Sequence, residues 1–306
     1  MRHSLVLLVS LSLSTGAAGQ ELPLWKKMQC SPGNTLLNAA LWVQNSAEYK
    51  ANARQVYANA QSSLDRAIAD KSWSATGQTG AENLPAAVIL DLDETALNNI
   101  RFEARAIRAG ITFSTPLWEE WSGSGEATEI PGARAFLEHA VKNGVTPFYI
   151  TNRKGPKNDT DIAGKREAEG TLKNLVSLRF PLFDTIVDTP GNTTDNLLLR
   201  NERKEWEPRD KAPRRDWVAQ RYRVLLLVGD DLNDFVTAAN KSESDRDALV
   251  TKHGENWGTR WFILPNPMYG SWHDALLTRR AAGSETMETP KDGCHEIAWK
   301  IDATNP

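Results

Sequence analysis

Hydrophobic and polar residues follow one another along the chain in blocks that predict strands separated by helices. Apolar runs predict strands over residues 85–91, 145–153, 183–188, 196–200, 223–235 and 260–266. Apolar positions at helical spacing predict helices over residues 34–70, 101–110, 114–121, 131–144, 161–175 and 212–220. Strands that alternate with helices predict an α/β fold, in which a parallel sheet carries helices on both faces. The first helix precedes the first strand, so we expect an N-terminal helical segment in front of the sheet.

Residues 1–19 have the pattern of a secretory signal peptide. Arg2 and His3 form a short basic start, an apolar run follows over 5–13, and small residues at 17–19 offer a cleavage point. The apolar run is too short to span a bilayer as a stable anchor. We therefore expect cleavage after Gly19, a secreted or periplasmic protein, and a single domain over residues 20–306.

Composition and charge narrow the classes of function. The formal net charge of −3 argues against nucleic acid as a stable partner, and no later stretch is long and apolar enough for a membrane anchor. The two cysteines, Cys30 and Cys294, lack the spacing of a metal site. They could pair in an oxidising compartment or remain as buried thiols, and the sequence leaves both alternatives open.

The candidate chemistry lies at the ends of the predicted strands. Three of them end in acidic or polar residues: Asp91 and Asp93, Thr151 and Asn152, and Asp230 and Asp234. The carboxyl ends of parallel strands meet at one crevice, so these side chains are expected to lie together. Carboxylates close together in a buried site are costly unless a cation offsets them. Oxygen ligands of this kind suit Mg²⁺.

Two of these motifs resemble those of a known family. DLDET at 91–95 and VGDDLNDF at 228–235 are similar to the two-part signature of the class C, or DDDD, acid phosphatases of the haloacid dehalogenase (HAD) superfamily, some of which are outer-membrane 5′-nucleotidases. The similarity extends from about residue 40 to residue 272. It implies a HAD-like, Rossmannoid sheet with a cap-like insertion at roughly 99–130. One departure is Asp231, which stands where Asn or Thr is usual and is expected to add negative charge near the metal.

The resemblance also implies a role for each strand-end residue. Asp91 would attack phosphorus and form an aspartyl-phosphate, and Asp93 would protonate the leaving oxygen. Mg²⁺ would be held by the Asp91 carboxylate, the Asp93 backbone carbonyl and Asp230, and Asp234 would complete the acidic cluster.

Thr151, Asn152 and Lys211 are expected to bind the phosphoryl oxygens. Lys211 lies in a charge-rich stretch, and it is preferred over Lys204 because DKAPRR resembles the lysine-containing motif of the family and opens a helix. Arg153 is close to these residues in the chain but could equally form a surface ion pair.

Three aromatic residues are expected to contact the leaving group. Trp118 and Trp121 lie in the predicted insertion, and Tyr269 follows the last predicted strand. In nucleotidases of the family, aromatic residues from matching segments hold the base or aryl group. The alternative is that these rings belong to the core, and the sequence does not show which tryptophan faces the substrate.

The resemblance implies a secreted, Mg²⁺-dependent acid phosphatase that hydrolyses phosphomonoesters such as nucleoside monophosphates and aryl phosphates through an aspartyl-phosphate. A homodimer is an expectation at the level of the family. A non-hydrolytic phosphate- or nucleotide-binding surface protein on the same fold is the alternative, but a binding protein has no need of the acid Asp93. A dehalogenase is a third possibility, and Asp93 argues against it because those enzymes lack the second aspartate.

Overall fold

The computed structural model describes residues 35–111, 113–189, 192–238 and 240–277, together with the backbone of residues 279–280 and 287–288. The predicted signal peptide, Cys30 and Cys294 lie outside the described residues. The described strands are β1 (Ala86–Leu90), β2 (Leu97–Asn98), β3 (Thr128–Glu129), β4 (Thr146–Lys154), β5 (Ile186–Thr189), β6 (Asn192–Thr194), β7 (Leu197–Arg200), β8 (Arg223–Gly229), β9 (Trp261–Ile263), β10 (Arg279–Arg280) and β11 (Met287–Glu288). The described α-helices are α1 (Leu37–Asn45), α2 (Ala47–Ala69), α3 (Ile100–Ala109), α4 (Thr115–Ser124), α5 (Ala133–Lys142), α6 (Ile162–Ser177), α7 (Ala212–Ala219), α8 (Glu243–Lys252) and α9 (Ser271–Leu277).

A five-stranded sheet with the order β7-β4-β1-β8-β9 forms the centre of the fold, and all its neighbouring strands are parallel. Side chains of β1 alternate between two cores. Val88 and Leu90 lie in the core that includes residues of α2, α5 and α6, whereas Ala87 and Ile89 lie in the core that includes residues of α7. The predicted α/β class, with a parallel sheet between helices, is therefore confirmed.

The predicted strand over 183–188 is not part of this sheet. Residues Ile186–Thr189 form β5, which pairs antiparallel with β6 in a separate hairpin. Val187 is 64% exposed, so the segment lacks the two apolar faces that a strand inside a parallel sheet requires.

The predicted helix over 34–70 is divided at Ser46. The backbone of Ser46 is extended, and its hydroxyl accepts a hydrogen bond from the N–H of Tyr49, so Ser46 caps α2 while α1 ends before it. The second helix carries Tyr57, whose hydroxyl donates to the carbonyl of Thr95 at 2.8 Å. The N-terminal helical segment thus holds the loop that follows β1.

The segment predicted as a cap-like insertion contains α3 and α4. Its two ends are joined by the antiparallel pair β2–β3, in which Leu97 lies opposite Glu129 and Asn98 opposite Thr128. Because β2 begins six residues after Asp91, this pairing places both helices beside the carboxyl end of β1.

Glu103 on α3 is a buried carboxyl group, 6% exposed, and burial raises its pKa to about 7. The folded protein therefore holds this proton more tightly than the unfolded chain. The titration of Glu103 is expected to lower the free energy of unfolding by roughly 3 kcal/mol as the pH rises from about 4.5 to about 7.

We expect Glu103→Gln to remove most of this decrease in the free energy of unfolding. Denaturant unfolding at several pH values measures it, with the exposed Glu120→Gln as control, and an unchanged pH dependence in Glu103→Gln would contradict it.

Candidate active site

Three carboxylates lie together at the carboxyl edge of the sheet. One oxygen from each of Asp91, Asp230 and Asp234 lies within 4.8 Å of the other two. Asp91 follows β1 and Asp230 follows the neighbouring strand β8. Asp91 and Asp234 are buried, while Asp230 is partly exposed. The strand ends that the sequence predicts to converge are therefore brought together.

Asp234 reaches the cluster because the chain turns back after β8. It ends a 3₁₀ turn over Leu232–Asp234, and its Oδ2 accepts the N–H groups of Asp230 and Asp231 at 3.1 and 3.0 Å. A Cβ atom at Gly229 would lie 2.3 Å from Oδ2 of Asp234. Glycine at this position thus allows the carboxylate to fold onto the end of the strand.

Lys211 is the cation at the centre of the cluster. It immediately precedes α7, is 5% exposed, and its Nζ contacts Oδ1 of Asp91 and donates to Oδ1 of Asp234 at 2.6 Å. Burial alone would lower the pKa of Lys211, but the charges of Asp234 and Asp91 outweigh it and raise the pKa above its ordinary value. Lys211 therefore stays positively charged between two buried carboxylates.

The three carboxylates of the cluster can carry more negative charge than the single positive charge of Lys211 balances. Burial raises the pKa of Asp91 to about 7 despite the opposing charge of Lys211, and the charges of Asp234 and Asp93 add to the rise. Burial, followed by the charges of Asp91 and Asp234, raises the pKa of Asp230 well above its usual range. A divalent cation among the three carboxylates would remove this cost, and a set of oxygen donors suits a hard cation. The residues present thus fit a metal ion.

Asp93 lies beside the cluster but is held by different partners. Arg153 Nε donates to both carboxylate oxygens, at 3.0 and 3.1 Å, and Nη2 donates to Oδ1 at 2.7 Å. Asn99 Nδ2 donates to Oδ1 at 2.9 Å, and Trp121 Nε1 donates to Asn99 Oδ1 at 2.8 Å. Arg153 is only 1% exposed, so its contact with Asp93 is a buried ion pair and not the surface pair that the sequence left open.

Thr151 and Asn152 lie near the carboxyl end of β4. The buried Thr151 accepts the N–H of Arg153 with its hydroxyl at 3.1 Å. Arg214 contacts the carbonyl of Thr151 and donates to Oδ1 of Asn152 at 2.9 Å. Arg214 is fully buried, and burial lowers its pKa to about 10.

Arg214 and Asn266 contact residues of the site but were not predicted as site residues. The sequence contains a weak signal for each of them. Arg214 stands three residues after Lys211, and this spacing places both side chains on one side of a helix. Asn266 lies in the segment that contains Tyr269, and its amide donates to Oδ2 of Asp230 at 2.9 Å. The other oxygen of Asp230 accepts the hydroxyl of Thr95 at 2.9 Å.

Asp231, which adjoins Asp230, has hydrogen-bond partners outside the acidic cluster. Its carboxylate accepts the N–H and amide groups of Asn233 at 2.9 Å and the hydroxyl of Ser271 at 2.6 Å. It lies outside the three-carboxylate cluster and joins the 3₁₀ turn to α9. Gly270 has a φ of +144°, and a Cβ atom there would lie 2.8 Å from Asp231 Oδ2, so the close approach requires glycine.

The three predicted aromatic residues have different surroundings. Trp121 is 4% exposed and donates to Asn99, so its burial argues against direct contact with a substrate. Trp118 is partly exposed, and its ring centroid lies 5.6 Å from the guanidinium carbon of Arg153. Tyr269 is also partly exposed, although its hydroxyl is buried without a hydrogen-bond partner among the described residues. Trp118 and Tyr269 thus remain as candidates for contact with a leaving group.

An aspartate pair after the first sheet strand, a buried lysine and a second acidic strand end are the arrangement that the resemblance to the HAD superfamily predicts. The comparison with known families agrees: the chain belongs to the acid phosphatases of HAD subfamily IIIB, whose family model matches residues 1–272. The protein is thus a phosphomonoesterase, and small phosphoesters are its class of substrate.

Solved structures show the same relationship. The class C acid phosphatase from Bacillus anthracis with tungstate bound has 29% sequence identity and a TM-score of 0.70, and the match covers 90% of this chain and 99% of that one. A second structure of the class C acid phosphatase from Bacillus anthracis matches with the same identity and coverage and a TM-score of 0.69.

Among the described helices, none combines the length and apolar character that a bilayer crossing requires.

Proposed function

We propose that this phosphatase is a secreted, Mg²⁺-dependent enzyme that hydrolyses nucleoside monophosphates and aryl phosphates through an aspartyl-phosphate on Asp91. The observation that carries the proposal is the position of Lys211, which contacts Asp91 and Asp234 inside a buried acidic cluster. The signal-peptide pattern of residues 1–19 supports secretion.

In the first step Asp91 attacks phosphorus and the bond to the leaving oxygen breaks. Lys211 Nζ contacts one carboxylate oxygen of Asp91, which fixes the orientation of that carboxylate. Asp93 donates a proton to the leaving oxygen, and its own orientation is fixed by Arg153 and Asn99.

In the second step water attacks the phosphorus of the aspartyl-phosphate, and Asp93, now deprotonated, accepts a proton from that water. Inorganic phosphate leaves and Asp91 is restored. The fork of Arg153 stabilises the negative charge that Asp93 carries between the two steps.

Asp91, Asp230 and the backbone carbonyl of Asp93 would hold Mg²⁺, and Asp234 would complete the cluster. When bound, the ion supplies positive charge that shields the phosphoryl oxygens from the attacking carboxylate. Thr151, Asn152 and Lys211 would donate hydrogen bonds to these oxygens. The tungstate bound to the Bacillus anthracis enzyme is a tetrahedral oxyanion like phosphate, which supports an oxyanion site in this fold.

Phosphate release from p-nitrophenyl phosphate, measured with EDTA and after addition of Mg²⁺, tests the proposal. We expect hydrolysis at acidic pH, loss of activity in EDTA and recovery with Mg²⁺. Phosphate binding without turnover would favour the non-hydrolytic alternative. Full activity in EDTA would contradict the metal site.

Asp230→Ala tests the metal site by binding alone. Asp230 is expected to contribute a carboxylate ligand, so its removal should weaken Mg²⁺ binding at least about tenfold in calorimetry. Asp231→Ala, which removes an aspartate outside the cluster, is the matched control. Equal Mg²⁺ affinity in Asp230→Ala and the parent protein would place the metal elsewhere.

Trp118→Ala and Tyr269→Ala test the contact with the leaving group. Stacking on an aromatic ring stabilises a bound base by about 1–3 kcal/mol, so each change should raise KM for nucleoside monophosphates and aryl phosphates about fivefold or more. Small alkyl phosphates have no ring to stack and should be nearly unaffected. Equal losses for aryl and alkyl phosphates would show that these residues have only a structural role.

A further inference from the structure

A cavity lies at the carboxyl ends of β4 and β7. It has a volume of about 610 Å³, and we refer to it as the β4–β7 cavity. Its charged lining consists of Lys154, Lys157, Arg200, Glu119, Asp161 and Glu207. It lies at the same edge of the sheet as the phosphate-binding residues, since Thr151 and Lys154 both belong to the end of β4.

Arg200 is the residue that points to a ligand. Its Nε is buried without a hydrogen-bond partner, and no ion pair involves its guanidinium group within the part of the chain that the structure describes. Burial, followed by the charge of Arg209, lowers the pKa of Arg200. Arg200 as a whole is partly exposed where it lines the cavity. No hydrogen bond to another described residue holds its guanidinium group, so an acceptor that enters the cavity can pair with it and offset the cost of the unpaired N–H groups.

The other charged groups of the cavity are largely occupied. Lys154 Nζ donates to Glu119 at 2.6 Å. Asp161 accepts the N–H groups of Lys157 and Gly164, where it caps α6. These contacts leave Arg200 and the ammonium group of Lys157 as available donors. Glu207 is an exposed acid among them.

The backbone positions of Arg200 and Thr151 are close enough for one substrate to reach both residues. Leu199, the residue before Arg200, is the register partner of Thr151 on the adjacent strand. Neighbouring strands lie about 4.8 Å apart and one residue adds about 3.3 Å, so the backbone of Arg200 begins within roughly 6 Å of Thr151. The charge of Arg200 also acts on Arg214, which contacts Thr151 and Asn152.

We infer that the β4–β7 cavity binds a second anionic group, a phosphate or a carboxylate, on the leaving group of the substrate, with Arg200 as its main partner. This inference rests on the proposed function and names a substrate class within it: phosphomonoesters that carry a further anion a few bonds from the scissile phosphate. Guanidinium groups bind phosphate and carboxylate through paired N–H donors.

The test compares α,ω-alkanediol bisphosphates of increasing chain length with the corresponding alkyl monophosphates. These substrates have no aromatic ring, so they separate the cavity from Trp118 and Tyr269. We expect the parent protein to have a higher kcat/KM for bisphosphates of one preferred length. Arg200→Gln should lower that kcat/KM about tenfold and leave the alkyl monophosphates unchanged. Glu207→Gln, which removes a negative charge from the cavity, should increase the preference for bisphosphates over alkyl monophosphates.

Lys142→Gln is the matched control, because it removes one positive charge at the end of α5, at the amino edge of the sheet. It should leave the preference intact. Two results would overturn the inference. In the first, Arg200→Gln lowers kcat/KM equally for bisphosphates and alkyl monophosphates; in the second, the preference for bisphosphates persists in Arg200→Gln. Carboxylalkyl phosphates in the same series distinguish a carboxylate from a phosphate as the preferred group.

A binding measurement separates this inference from the proposed function. In the Asp91→Asn background, calorimetry with a bisphosphate should show weaker binding when Arg200→Gln is added, whether or not the parent protein turns the compound over. Absence of hydrolysis with all substrates would contradict the proposed function alone. Equal bisphosphate affinity with and without Arg200 would contradict the inference alone.

Discussion

Asp91→Asn is expected to lower kcat by at least about a thousandfold for every phosphomonoester, because an amide oxygen cannot attack phosphorus as a carboxylate does. The substitution keeps the shape of the side chain. The N–H of residue 91 still donates to the carbonyl of Val228 at 3.0 Å, so the end of β1 should be preserved. We expect an unchanged circular dichroism spectrum together with the loss of turnover.

Asp231→Asn is the matched control for this experiment. It removes the same charge from a nearby aspartate, but Asp231 contacts Asn233 and Ser271 and lies outside the acidic cluster. Activity should remain close to that of the parent protein. Substantial turnover in Asp91→Asn, or an equal loss in Asp231→Asn, would contradict the assignment of the nucleophile.

Asp93→Asn is expected to have the second large effect, and its size should depend on the leaving group. General acid catalysis by a positioned side chain contributes roughly 10²–10⁴-fold. Alkyl phosphates, whose leaving oxygen needs a proton, should lose rate across this range. p-Nitrophenyl phosphate has a good leaving group and should lose far less in its first step.

Plotting log kcat/KM against the pKa of the leaving alcohol measures this difference. The plot should be steeper for Asp93→Asn than for the parent protein. Glu119→Gln is a suitable control, because it removes a neighbouring carboxylate that pairs with Lys154 and does not contact Asp93. Parallel plots for Asp93→Asn and the parent would remove Asp93 from the role of acid.

The sheet was predictable because its strands carry their own signal. β1 and β8 are almost entirely apolar on both sides, as strands buried between two layers of helices must be, and each is followed by an aspartate. The sequence could not show that β5 and β6 form a hairpin outside the central sheet, because a short apolar run does not reveal which strand it pairs with. The division between α1 and α2 depends on the cap at Ser46, a single hydroxyl contact within a continuous helical pattern.

The acidic cluster was predictable because the ends of adjacent parallel strands meet, which required only the order of motifs along the chain. The hydrogen-bond partners of Asp93 were not predictable from the sequence. Arg153 and Asn99 come from different segments, and their contact with Asp93 depends on tertiary packing around Trp121. The same limit applies to Arg200, since the sequence shows a charged residue at the end of a strand and cannot show that its Nε has no hydrogen-bond partner among the described residues.

The most direct test of the central claim is to trap the phosphoryl group on Asp91. The enzyme is mixed with substrate and Mg²⁺, quenched in acid, and treated with borohydride, which reduces an aspartyl-phosphate to homoserine. Peptide mass spectrometry of residues 86–101 then identifies the modified residue. We expect homoserine at position 91 only when substrate is present, with Asp93 unmodified and no product in Asp91→Asn. A phosphoryl group trapped on another residue would contradict it.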